Sequence, residues 1–451
     1  MVGKLVLTAL GVIVCAGCSS VAKTTTESPS LLPSLVTPAD GHRASSSMPI
    51  KHIVVIIQEN RSFDNFFAGY PGADAPTYGY GEVSGKRVTI PLHPITFDGP
   101  NLPHAWQNAI VEWNNGKMDG FSKYGQNGDD AAYAYVARSW IKPYWRMAHK
   151  YVLADHMFPT EFGPSWTAHL TLVAGTDNLN PDLAVADFSS SGYNSCDAQP
   201  GAKVTTVNQY RHVSLDSGPY PCFNQFNTMA ETLDAAKVSW KYYVTKLTAP
   251  GIWSAFEAIK YVKRGPDWHM DVIAPQTQVL KDIKQGNLAS VSWVTPSKPD
   301  SDHPGAHSDK GPSWVASIVN SLGKSSYWDS TAIVVLWDDW GGWYDDSPPP
   351  QLDFRGLAIR VPCLIISPYA KPGYVSHTQY EYGSILKFME EAFGLPPLGS
   401  SADGYTDTRA NSIEDSFDFT QKPRAFEPIP AKYPIKQFLA EPPSDEAVDD
   451  E

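Results

Sequence analysis

Positive charge is in short supply in this sequence. Its 451 residues carry 35 Lys and Arg against 48 Asp and Glu, a formal net charge of −13. That balance argues against unaided binding to nucleic acid or to an anionic membrane surface. It leaves an anionic substrate open, because a bound cation would reverse the field locally. Cysteine is scarce too, five in all: Cys15 and Cys18 lie near the amino terminus, and the three in the body of the chain form no Cys-x-x-Cys pair and no zinc-ligand cluster. A thiolate zinc site is therefore not encoded. The apolar run Leu5–Ala16 is too short to read as a membrane span. What is abundant is aromatic and turn-forming: 14 Trp, 22 Tyr and 38 Pro suggest a loop-rich enzyme rather than a helical bundle. With 42% hydrophobic residues, the chain can bury a sizeable core in one large α/β domain or two smaller ones.

Lys4, the run Leu5–Ala16 and the small residues Ala16 and Gly17 have the pattern of a secretory signal peptide over residues 1–17. The Ala-Gly-Cys-Ser ending resembles a bacterial lipoprotein cleavage site, which would attach a lipid to Cys18. Position 15 is Cys where such sites usually carry Leu, so plain secretion stays open. Residues 18–47 are rich in Ser, Thr and Pro and read as a disordered tether. In an exported chain, Cys196 and Cys222, which flank a polar Gly/Pro-rich stretch, are expected to form a disulfide. Cys363, inside an apolar run, reads as a buried core residue.

The chemistry-bearing stretch begins at His52–Asn65. Ile53–Ile57 is apolar and β-branched throughout, as in a strand buried on both faces. Glu59 and Asn60 follow at its carboxyl end, and Phe63, Phe66 and Phe67 then have the spacing of a helix face. Glu59 and Asn60 could be a helix-entry charge and a cap, or oxygen donors to a hard cation. Further on, Trp166, Leu170 and Val173 have helical spacing with Gly175 as a stop, so Ser165 stands at a helix amino terminus. There it could be an N-cap or a nucleophile aided by the helix dipole. Ala332–Trp337 is another buried strand, and it ends in Asp338-Asp339. Adjacent carboxylates repel, which is a physical reason to expect a cation, although a solvated turn before Gly341-Gly342 is the simpler alternative. Strands are also expected at 238–244, 289–294 and 360–369, and helices at 228–236, 276–284, 314–322 and 384–393.

HIVVIIQENRSFDNFFAGYPG resembles the opening signature of the bacterial phosphoesterase family that includes secreted phospholipases C and an acid phosphatase, a branch of the alkaline-phosphatase-like hydrolases. Other segments follow in that family's order: His104-Ala-Trp106, Gly163-Pro164-Ser165, Asp302-His303-Pro304, Asp338-Asp339-x-Gly341-Gly342 and Phe417-Asp418-Phe419. The resemblance implies a three-layer α/β/α sandwich with a mainly parallel sheet and long loop insertions. It implies one divalent metal ion held by Glu59, Asn60, Ser165, Asp338 and Asp339, with Ser165 as nucleophile. His104 and His303 would steady the phosphoryl oxygens or protonate the leaving group. Three positions depart from the family pattern: Ala168 for Asn, Asp346 for His, and Tyr382 for His.

The expected organisation is a signal peptide (1–17), a tether (18–47), a catalytic domain (48–425) with an insertion near 177–225, and a Pro-rich, acidic tail (426–451). The function implied is an exported metal-dependent phosphoric-ester hydrolase, acting on a phosphomonoester or a phospholipid through a phosphoseryl intermediate. No nucleic-acid partner is expected, and membrane association only through a lipid anchor. A catalytically inactive, ligand-binding surface lipoprotein is the alternative. A sulfatase-like reading lacks the Cys-x-Pro-x-Arg element that a formylglycine nucleophile would need.

Overall fold

The computed structural model describes residues 48–123 and 130–447. The expected signal peptide, Cys18 and the tether to residue 47 lie outside the described residues. Nine strands form the central sheet: β1 His52–Gln58, β2 Val152–Phe158, β3 Trp240–Tyr243, β4 Val272–Ile273, β5 Val291–Val294, β6 Thr331–Trp337, β7 Val361–Ile366, β8 Tyr374–Ser376 and β9 Tyr380–Glu381. Their order is β4-β3-β5-β1-β6-β7-β2-β8, with β9 also pairing with β2. Only β7 is antiparallel to its neighbours, β6 and β2, so the sheet is mainly parallel, as expected.

Every residue of β6, and of β1 from Ile53 onward, is buried, which requires cover on both faces of the sheet. The helices supply it in two groups. Lys142–Lys150, Gln278–Gln285 and Ile435–Ala440 gather around Gly311–Gly323, while Met229–Ala236 and Tyr382–Phe393 gather around Ser165–Ala174. The result is a three-layer α/β arrangement.

The register of this sheet positions the site. β1 and β6 pair in parallel from His52 opposite Thr331 to Gln58 opposite Trp337. The next residues of both strands, Glu59 and Asp338, therefore leave the sheet at one edge. Each fully buried Val or Ile in β1 contributes about 1.5–3 kcal/mol, so five in succession hold that edge in place. Strand β2 is antiparallel to β7, which is antiparallel to β6, so β2 points the same way as β1 and β6. Its carboxyl end delivers residues 159–164 to the same edge, where the helix Ser165–Ala174 begins.

The loop regions hold more regular structure than their composition suggests. The excursion 68–103 contains an antiparallel pair, Tyr78–Val83 with Lys86–Pro91. The insertion near 177–225 carries a four-stranded antiparallel sheet, and a disulfide joins Cys196 to Cys222. Cys363 is buried as a free thiol. The segment after residue 425 packs back on the domain through buried Ile429 and Phe438, the latter against Trp314 at 5.5 Å. Its Pro content hides a short helix, Ile435–Ala440.

Candidate active site

Where β1 ends, the chain turns sharply at Asn60, whose φ of +56° lies in the left-handed region that Asn tolerates. The helix Phe63–Phe67 is capped by Ser62, whose Oγ accepts from the Asn65 N–H at 3.1 Å. Asn60 is thus not the cap, and Glu59 and Asn60, both fully buried, remain for the site. The turn is locked to β6 by three bonds. The Asn60 N–H donates to Asp338 Oδ1 at 2.8 Å, the Asp338 N–H to the Gln58 carbonyl at 2.9 Å, and the Arg61 N–H to the Asp339 carbonyl at 3.0 Å. Gly341 is required next to it. A Cβ there would lie 2.3 Å from the Asn60 carbonyl oxygen, and its φ of +60° suits glycine.

Ser165 is the first residue of its helix, and Pro164 occupies the N-cap position. The Ser165 hydroxyl donates to Asp339 Oδ2 at 2.9 Å, so it is aimed at the paired carboxylates. The Asp339 N–H donates to Asp338 Oδ1 at 2.8 Å and the Gly341 N–H to Asp339 Oδ1 at 2.7 Å. Five sequence-expected ligands, Glu59, Asn60, Ser165, Asp338 and Asp339, are thereby gathered at one sheet edge.

His104 joins them through Asn60. Its Nδ1 lies 2.6 Å from the Leu102 carbonyl and its Nε2 2.8 Å from Asn60 Nδ2. A carbonyl can only accept, so Nδ1 carries the proton, and Nε2 accepts from the Asn60 amide. This assignment turns the Asn60 carbonyl oxygen, Oδ1, the other way. His303 is placed differently. Its Nδ1 bonds the Pro304 carbonyl at 2.6 Å, and its loop is tied through Asp302 to the residues preceding Glu59 and Asp338. The Asp302 N–H donates to Gln58 Oε1 at 2.8 Å, and its carboxylate accepts from Trp337 Nε1 at 3.0 Å and the Tyr144 hydroxyl at 2.7 Å. Burial pushes the Asp302 carboxyl up to about 7, against the bonds from Tyr144 and Trp337 and the nearby Arg61 charge, which favour its ionised form.

Two of the departures from the family pattern acquire a structural role. The Tyr382 hydroxyl bonds the carbonyls of Trp337, at 2.8 Å, and Asp338, tying the end of β6. Burial foremost, then Asp338, Asp339 and Glu59, hold that phenol protonated well above its usual range. Asp346 pairs with Arg360 at 2.8 Å, away from the paired ligands.

Sequence reading missed His169. It sits one helical turn beyond Ser165, fully buried, with Nε2 3.4 Å from Glu59 Oε1 and 3.7 Å from Asp338 Oδ2. The i, i+4 spacing from Ser165 was the available signal. Burial, opposed by Asp338, pulls its imidazole down to about 4, so it is neutral at pH 7. One donor atom each from Glu59, His169 and Asp338 lie within 4.8 Å of one another. Asp338 Oδ2, Asn60 Oδ1 and both His169 nitrogens are buried without a hydrogen-bond partner among the described residues. Such groups cost about 1–3 kcal/mol each if left so. A divalent cation between them would satisfy them, and the residues fit one.

Known proteins are similar to this chain over most of its length. The chain is 26% identical over 433 residues to the non-hemolytic phospholipase C of Pseudomonas aeruginosa, covering 81% of this chain and 58% of that protein. It is 24% identical over 464 residues to phospholipase C B of Mycobacterium tuberculosis, covering 87% of this chain and 81% of that one. The non-specific phospholipase C5 of Arabidopsis thaliana matches at 23% identity over 82% of this chain and 75% of that one. Thus the chain spans little more than half of the Pseudomonas relative's length. A solved structure of an alkaline phosphatase superfamily protein from Vibrio parahaemolyticus aligns with TM-score 0.40 and 11% identity, over 81% of this chain and 72% of that one. A likeness of that size carries no functional weight. The family model described as the Phosphoesterase family matches residues 50–396, a span that holds every residue gathered at the sheet edge, and the chain belongs to that family.

Proposed function

We propose that this chain is an exported hydrolase of phosphoric esters that works through Ser165 and a phosphoseryl intermediate. The observation that carries the reading is the Ser165 hydroxyl, 2.9 Å from Asp339 Oδ2 at the edge where Glu59 and Asp338 also emerge. Glu59, Asn60, Asp338 and Asp339 would hold a divalent cation, which would supply positive charge that lowers the cost of deprotonating a hydroxyl and of gathering charge at phosphorus.

The chain's own groups do the rest. Oγ of Ser165 attacks phosphorus while its proton has an acceptor along the bond to Asp339. The P–O bond to the leaving alcohol breaks as the Oγ–P bond forms. The amino-terminal end of helix Ser165–Ala174, with the positive end of its dipole, is turned to the phosphoryl oxygens. His104 acts on Asn60, fixing its amide so that Oδ1 is presented as a donor. His303 is assigned to the departing oxygen. Water then cleaves the Oγ–P bond and restores the serine. Because three relatives are named phospholipases C, a phospholipid is the first substrate class to test, with phosphomonoesters second. Export rests on the Met1–Gly17 pattern and on the Cys196–Cys222 disulfide.

The test is acid quenching during turnover of a phosphate ester labelled at phosphorus. Label is expected on the peptide containing Ser165, and Ser165→Ala is expected to lose turnover by orders of magnitude with its melting temperature nearly unchanged. Turnover retained in Ser165→Ala, with no labelled peptide in the wild type, would make water the direct nucleophile.

A further inference from the structure

His169 belongs to none of the motifs read from the sequence, yet its surroundings suit a ligand better than a core residue. Its side chain is fully buried, and among the described residues neither ring nitrogen has a hydrogen-bond partner. Buried imidazoles ordinarily bond at one nitrogen at least. Its Nε2 stands 3.4 Å from Glu59 Oε1 and 3.7 Å from Asp338 Oδ2, both too long for a good hydrogen bond. They match another geometry. Two donors each about 2.1 Å from one tetrahedral ion are separated by about 3.4 Å, and by about 3.0 Å on an octahedral one. Asp338 Oδ2 likewise has no hydrogen-bond partner among the described residues. The helix Ser165–Ala174 brings this about, because residues four apart share a face and Ser165 already points at Asp339.

We infer that His169 is a direct ligand, through Nε2, of the same cation as Glu59 and Asp338, making the site a mixed nitrogen–oxygen one selective for first-row transition ions. The inference rests on the reading that a divalent cation binds at this edge. Mg²⁺ and Ca²⁺ prefer all-oxygen shells, whereas imidazole suits Zn²⁺, Fe²⁺, Cu²⁺ and Ni²⁺. The consequence is a preference that Glu59, Asn60, Asp338 and Asp339 alone would not set.

The test uses the full purified chain, stripped of metal and then titrated with Zn²⁺, Mn²⁺ or Mg²⁺ alone, with pulsed EPR on the Mn²⁺ form. Wild type is expected to show nitrogen modulation from one coordinated imidazole and to bind Zn²⁺ far more tightly than Mg²⁺. Both His169→Ala and His169→Asn are expected to lose the modulation and at least about a hundredfold in Zn²⁺ affinity, while Mg²⁺ affinity changes little. Wild-type protein that binds Mn²⁺ without nitrogen modulation overturns the inference, whatever the variants do. Asp338→Asn separates the two levels of the reading. If it abolishes binding while both His169 variants bind as wild type, the cation site stands and His169 is not its ligand. If the wild type binds none of the three ions, the cation reading itself falls.

Discussion

Two groups of buried carboxylates lie only a few residues apart on the same two chain segments. One comprises Glu59 and Asp338 with His169, and the other Asp64, Asp345 and the half-buried Asp346. Both meet the crude geometric requirement for a metal site, and they solve the cost of burial differently. The second group closes around Arg360, whose Nε lies 2.8 Å from Asp345, whose Nη2 lies 2.8 Å from Asp346 and 3.6 Å from Asp64, and whose guanidinium covers the Phe63 ring at 4.8 Å. Burial alone would lower the Arg360 pKa, but the three carboxylates more than offset it and keep the group charged. The first group faces an imidazole that burial keeps neutral at pH 7. A neutral ring cannot balance carboxylates, and a bound cation would supply the compensation there. A guanidinium in place makes an acidic cluster structural; its replacement by an uncharged donor leaves room for chemistry.

The largest expected effect comes from breaking the first group. Asp338→Asn should lower kcat/KM on the order of a thousandfold, ~4 kcal/mol of transition-state stabilisation, with metal content falling in parallel. Chelation of the wild type should do the same while leaving the Arg360 group untouched. Full turnover by a rigorously metal-free sample would erase the distinction between the two clusters.

Next comes the second group. Arg360→Met leaves two buried carboxylates and the half-buried Asp346 without their cation and should cost about 3–5 kcal/mol of stability, read from the denaturant midpoint at constant m. Adding divalent ions should not restore it. Recovery by a divalent ion would mean that both clusters are ion sites.

The smallest effect sharpens the comparison through pH. Burial foremost, with Asp345 and Asp74 adding to it against Arg360, raises the Asp346 carboxyl from 3.8 to about 7. A carboxyl raised on folding stabilises fully below its unfolded pKa, and that contribution is lost as pH rises through the folded value. Asp346→Asn has no such loss. It should match wild type near pH 4 and exceed it by about 1 kcal/mol at pH 8, measured by chemical denaturation across that window. A variant less stable than wild type at pH 8 would show that the Asp346–Arg360 pair outweighs the cost of its charge.

Local pattern made several elements readable. The strands around Ile53–Ile57 and Ala332–Trp337 announce themselves as unbroken apolar runs, and the helix from Ser165 by its i, i+4, i+7 spacing. The two antiparallel regions were not readable. In the insertion the strands are two to five residues long, too short to express a period of two. In the 78–91 pair, Gly and Pro at Gly79, Gly81 and Pro91 disguise the strands as loop. Strand β7 was legible as a buried run, but its antiparallel direction was not, because direction leaves no trace in a run buried on both faces.

By itself the sequence determined which chemical groups stand at strand ends and helix starts: Glu59 and Asn60 after β1, Asp338 and Asp339 after β6, Ser165 at its helix amino terminus. These follow from periodicity within a few residues. Only the tertiary structure decided that they meet, since the bond from Asn60 to Asp338 spans 278 positions and depends on the register of β1 against β6. It also decided which acidic cluster receives Arg360 and which receives His169. Charge compensation is set by distance through folded space, and spacing along the chain carries no record of it.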